Sequence, residues 1–269
     1  MRSLGFIVLV VFVAACSAPP PAPEPEPPPI APADTLAPPP PGPEPEPEPP
    51  PPEPEPDPAT VLLDRVFASM GGRDVWGSLR AYATEGTSSV ETTFGETTIE
   101  TTSLVAGLLQ IRAEQDTPVG DVLVRVNGET ASLLVDGNAR DPGPGFAASV
   151  QSQVLFSLPY VLMHADSLLF SRGEDTPDGL AVLVYQAPGV DASYEMVIGA
   201  DGRPVRVESI QPSPVGPAQM VHTITGYRSV GGLQVPIGTR QSTEGQVTGS
   251  TEITVFTLDP EIAPGAFGD

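Results

Sequence analysis

Apolar and polar positions divide this chain into three stretches of different rhythm. Residues 4–13 (LGFIVLVVFV) are apolar without a break, residues 18–58 contain little besides proline, glutamate and alanine, and from residue 59 apolar side chains recur at regular spacing. In that third stretch Val61, Leu62, Val66 and Met70 follow helical spacing, and Gly71-Gly72 stop the helix. Asp74 is placed to cap a second short helix carrying Val75, Trp76 and Leu79. After Tyr82 the period becomes two. Residues 90–94 and 97–101 read as a hairpin turning at Gly95, and 122–126 and 131–135 as another turning at Asn127-Gly128. Further strand-like runs follow from 166 to 256, with turns at Asp201-Gly202 and Gly231-Gly232. The pattern predicts about ten or eleven consecutive antiparallel strands.

One segment breaks the alternation. Pro142-Gly143-Pro144-Gly145 opens a loop, and 146–164 reads as helix, with Pro159 expected to kink it. Phe146, Val150, Val154, Leu155, Leu158, Val161 and Leu162 share its apolar side. A helix inserted into a meander must lie on one face of the sheet. There it either covers the core or forms a movable lid over an apolar groove, so these seven residues are the candidate groove or lid positions.

The first stretch is too short to span a bilayer, which takes roughly 20 helical residues. With Arg2 before it and Ala14-Ala15 after it, residues 1–15 read as a secretory signal. Val13-Ala14-Ala15-Cys16 resembles the lipobox of bacterial lipoproteins. A thiol is nucleophilic enough to take a diacylglyceryl group, and two or three acyl chains hold a protein to a membrane where one holds only marginally. Cys16 is the only cysteine, so it has no intramolecular disulfide partner. Ser17, standing where an inner-membrane retention signal would place Asp, implies by resemblance to the sorting rule of diderm bacteria an outer-membrane lipoprotein with its domain in the periplasm.

Residues 16–58 then form a tether too poor in apolar surface to offset chain entropy, and are expected to be disordered. Proline biases such a segment to polyproline II, and at about 3.1 Å per residue the stretch 18–58 reaches at most about 125 Å. Its Pro-Glu alternation is similar in composition to the periplasm-spanning region of TonB-type proteins.

Charge narrows the partners. The formal net charge is −22, and every basic residue is arginine. Nothing supplies phosphate neutralisation, which excludes nucleic acid, and anionic headgroups repel the chain. Contact with a membrane is left to the lipid on Cys16. His164 and His222 lack the spacing of metal ligands, and there is no phosphate-cradling glycine loop and no G-x-S-x-G elbow. No cofactor, no metal and no enzymatic activity are expected, and the chain is read as a monomer.

Three places resemble the LolA/LolB-type domains of lipoprotein carriers and the related LppX-like lipid binders. Leu62-Leu63-Asp64-Arg65, with Ala68-Ser69-Met70-Gly71-Gly72-Arg73 and then Thr84-Glu85-Gly86-Thr87, is similar to their opening helix, Gly-Gly turn and first strand. Gly226-Tyr227-Arg228-Ser229-Val230-Gly231-Gly232-Leu233-Gln234-Val235-Pro236 resembles their late hairpin. The tail from Phe256 through Asp259-Pro260 to Phe267 resembles their closing strand.

The resemblance implies an α+β, mainly β domain over 59–269. Its sheet would be a strongly curved, unclosed antiparallel half-barrel with helices covering the concave face, leaving an apolar groove for a lipid or lipidated protein. Carriers of the family latch the lid with an arginine, and no arginine here sits in a matching motif. The alternative function is a structural or adaptor module that binds an envelope protein.

Overall fold

The computed structural model describes residues 55–92, 95–118, 120–190, 192–213 and 216–268. Cys16, the signal segment and most of the tether lie outside the described residues. Helix α1 spans Pro58–Met70. Asp57 caps it, its carboxylate accepting from the Ala59 and Thr60 amides at 3.3 Å, and proline takes the first position, where an amide proton would be unused. Its buried face is Ala59, Leu62, Leu63, Val66, Phe67 and Met70; Val61, placed by spacing on the apolar side, is 53% exposed.

Helix α2 spans Arg73–Ser78. Gly72, not Asp74, occupies its cap position and no side chain caps it; Asp74 lies in the first turn, facing the positive end of the helix dipole. Trp76 is fully buried and donates to the Met70 carbonyl at 2.9 Å, tying the two helices together.

Among the described residues thirteen strands form one antiparallel sheet. They are β1 (Ala81–Thr92), β2 (Gly95–Ala106), β3 (Gln110–Thr117), β4 (Gly120–Asn127), β5 (Thr130–Val135), β6 (Asn138–Arg140) and β7 (Leu169–Arg172), then β8 (Ala181–Gln186), β9 (Tyr194–Ile198), β10 (Pro204–Ser213), β11 (Gly216–Val230), β12 (Leu233–Thr243) and β13 (Gln246–Leu258). The count exceeds the ten or eleven expected. One cause is Asp136-Gly137, which with φ of 50° and 72° makes a two-residue hairpin loop that adds the short β6. Residues 166–168, expected as strand, belong to a 3-10 turn and the residue after it, so β7 begins only at Leu169.

The spatial order is β6-β5-β4-β3-β2-β1-β13-β12-β11-β10-β9-β8-β7. The first six strands step outward from the centre; the last seven return from the opposite edge until β13 pairs with β1. The edges, β6 and β7, do not pair, so the sheet is an open half-barrel. Register shifts at Glu85/Gly86 and along β11–β12 mark bulges, which bend strands and increase twist. At Gly86 the backbones approach so closely that a Cβ would lie 2.0 Å from the Glu252 carbonyl oxygen.

This topology places the helices. Residues 141–168 join two opposite edges of the sheet, so they must cross one of its faces. They do so as α3 (Phe146–Val154) and α4 (Leu158–Met163). Two apolar cores form beneath them. Leu183, Met196, Leu233 and Val235 pack with α1, α2 and α4 in the larger, while Phe146 on α3 closes the smaller over Ile111, Val122, Val124 and Val126. Among the described residues no helix is long and apolar enough to cross a membrane.

Candidate ligand groove

The expected helix over 146–164 is two helices, because Pro159 does more than kink it. Its ring clashes with a preceding turn and it brings no amide proton, so it is accommodated at the start of a new helix, α4, after the chain breaks at Leu155–Phe156–Ser157. A broken helix leaves carbonyls without partners, and the sheet supplies them. Tyr194 donates to the Ser152 carbonyl at 2.9 Å and Tyr185 to the Leu155 carbonyl at 2.5 Å, while the Tyr82 and Ser157 hydroxyls bond at 2.8 Å. Burial raises the pKa of all three tyrosine hydroxyls above the ordinary value. The strap is thus fastened by tyrosines from β1, β8 and β9. No sequence spacing announces such a latch, because its partners lie up to 75 residues apart.

Phe156 projects from the break. It stacks on His222 of β11 at 4.1 Å between ring centroids and meets Tyr194 edge-on at 5.1 Å. The Nε2 atom of His222 is buried without a hydrogen-bond partner, and desolvation lowers the ring's pKa to about 4. His222, itself half-buried, is therefore a neutral component of a mostly apolar wall. His164, at the end of α4, also has an unpartnered buried Nε2 and a pKa lowered by desolvation.

Between the strap and the central strands lies an open cavity of about 310 Å³. Val105, Ile111, Ile253 and Phe256 of the sheet face Val150, Val154 and Leu158 of the strap across it. Of the seven positions singled out by spacing, Val150, Val154 and Leu158 line this space. Phe146 is committed to the smaller core, and Leu155, Val161 and Leu162 are buried in the larger one. The sheet's contribution was missed: strand alternation reveals two faces but does not show which one curves inward.

A second cavity, of about 410 Å³, opens near Glu100, Glu114, Asp116 and Asp121 on the other face of β2–β4. An apolar ligand there would strip water from carboxylates, so despite its size it is the poorer candidate. Among the described residues no group of three or more His, Cys, Asp or Glu side chains is arranged to hold a metal ion.

The arrangement of this domain's strands and helices recurs in solved structures. A LolA superfamily protein from Nitrosomonas europaea superposes with a TM-score of 0.52 at 10% identity, over 78% of this chain and 97% of that one. The domain has a LolA-like fold. An outer membrane lipoprotein-sorting protein domain from Vibrio parahaemolyticus matches with a TM-score of 0.50 at 12% identity, over 78% of this chain and 95% of that one. A DUF1329 family protein from Desulfovibrio piger matches with a TM-score of 0.50 at 12% identity, over 78% and 97%. No protein-family model and no curated protein matches the sequence.

Within this LolA-like frame the residues quoted for the resemblance take defined places. Gly71 follows α1 and Gly231-Gly232 turn the β11–β12 hairpin, and the two turns abut. A Cβ on Gly71 would lie 2.7 Å from the Gly232 carbonyl oxygen. Asp259, after β13, accepts from the Arg80 and Ala81 amides at 2.7 and 3.1 Å and fixes the start of β1.

Proposed function

We propose that this chain is an outer-membrane-anchored periplasmic lipoprotein that binds a lipid, or the acyl part of a lipidated protein, in the groove beneath α3 and α4. Residues 1–15 serve as signal, Cys16 carries the anchor, 16–58 act as tether, and 59–269 are the binding domain, non-enzymatic and working in lipoprotein or lipid sorting. The observation that carries this reading is the cavity itself: a partly open space between strap and sheet, walled by apolar side chains from both. The LolA-like fold supports it, since the matched domains include one described as lipoprotein-sorting.

The cavity sets a scale. At about 30 Å³ per water, and slightly less per methylene, it holds roughly ten methylenes. Burying them contributes at most about 8 kcal/mol before association costs, so affinity for a single chain is micromolar or weaker.

The test is titration of the Cys16→Ser full chain with N-phenyl-1-naphthylamine, a neutral dye that fluoresces in apolar surroundings. One saturable site is expected, lost when Ile224→Trp fills the cavity while the unfolding midpoint holds. Absence of a saturable site, or a site indifferent to Ile224→Trp, overturns the reading.

A further inference from the structure

The cavity has a polar side as well as an apolar one, and its chemistry is selective. Thr84, Ser103, Ser157, Thr239, Gln153 and His222 contribute to its lining, and no Asp, Glu or Arg does. In a chain of net charge −22, a neutral lining is a distinct feature. The hydroxyls on this face pair across neighbouring strands. Thr84 and Ser103 bond across β1–β2 at 2.7 Å. Further along the same face Ser88 bonds Thr251 of β13 at 3.1 Å, and Thr251 stands opposite Thr239 of β12. Each hydroxyl has one proton and two lone pairs, so one mutual bond leaves capacity on both partners.

A carboxylate or phosphate entering this space would lose water without meeting a cation. The surrounding negative field would oppose it further. A hydroxylated neutral group would instead exchange water for hydroxyl and amide partners. The volume limits the apolar part, since room for roughly ten methylenes is room for one chain.

We infer that the groove selects a single-chain amphiphile whose headgroup is uncharged and hydroxyl-bearing, with its chain under the strap and its headgroup on the Thr84–Ser103 side. This inference rests on the binding function proposed above and names the ligand class for that site.

The Cys16→Ser full chain is titrated at pH 7.5, below micelle concentrations, by displacement of N-phenyl-1-naphthylamine. Competitors are monodecanoylglycerol, decanoate and decyltrimethylammonium, with monoacylglycerols of eight, twelve and fourteen carbons for chain length. Monodecanoylglycerol is expected to bind at least about tenfold more tightly than decanoate, which leaves a carboxylate unpaired. Affinity should climb by up to about fourfold per methylene to roughly ten carbons and then level. Thr84→Val/Ser103→Val should weaken monodecanoylglycerol about fivefold relative to the dye, and a urea unfolding midpoint at or above the parent's reports that the variant folds.

Equal or tighter binding of decanoate or decyltrimethylammonium, affinity rising through fourteen carbons, or indifference to the double substitution overturns the inference while dye binding keeps the groove. Failure of the dye itself sinks the proposed function.

Discussion

Replacing His222 with phenylalanine isolates the energetic effect of one titratable ring inside the groove. In the folded protein the ring lies against Phe156 with its Nε2 unpartnered, and its pKa falls to about 4 from desolvation. In the unfolded chain it titrates near 6.5. Above about pH 6.5 both states are neutral and stability is complete. Between about 6.5 and 4 the unfolded chain takes up a proton that the fold refuses, so stability falls as pH falls; below about 4 both are protonated and the loss stops. At about 1.4 kcal/mol per pH unit, that interval amounts to about 3 kcal/mol.

His222→Phe keeps an aromatic ring against Phe156 and removes the proton. Urea unfolding followed through Trp76, the only tryptophan and fully buried, measures both proteins from pH 7.5 to 4.5. At pH 7.5 the variant should be at least as stable as the parent, having lost an unsatisfied buried atom. By pH 4.5 its advantage should grow by about 2–3 kcal/mol. His164, also lowered by burial, adds the same slope to both proteins and cancels. Asp178 and Asp201, whose pKa values are lowered by hydrogen bonds, add loss only as pH falls through and below the ordinary carboxylate range. Parallel stability curves, with the gap constant to about 0.5 kcal/mol, would refute the reasoning.

Tyr185→Phe should cost about 1–3 kcal/mol in urea unfolding, because the buried Leu155 carbonyl loses its donor, and should speed amide exchange across residues 152–158. Phe156→Ala should let water reach His222, and NMR titration should show the ring's pKa move from about 4 toward 6.5; an unmoved value would mean that Phe156 does not shield it. Gly71→Ala should destabilise by about 1–3 kcal/mol, since φ is +107° and the new Cβ meets the Gly232 carbonyl oxygen at 2.7 Å; a thermal midpoint equal to the parent's would show that the two turns do not abut.

The parts legible in the sequence are those encoded locally. Helical spacing through Leu62, Val66 and Met70 identified α1, and alternation with turn residues identified a long antiparallel meander. The inserted helical segment and its apolar side were also plain. The site was only half legible. Val150, Val154 and Leu158 could be named because they share a helix periodicity. Tyr82, His222, Ile253 and Phe256 could not, because they meet only once the sheet coils and the strap crosses it. Cap choice failed for a related reason: Asp74 has cap chemistry, but the Gly71-Gly72 turn had already set where α2 begins. The tyrosine latch was hidden because a hydroxyl's partner is decided by tertiary position and not by neighbours in the chain.

The central claim, that the space beneath α3 and α4 is a ligand site, meets its most direct measurement in native mass spectrometry of the Cys16→Ser full chain purified without detergent. The expected result is a stoichiometric hydrophobic mass that leaves on denaturation and is absent from the Ile224→Trp variant. An apo mass alone, or an adduct equally abundant in both proteins, would contradict it.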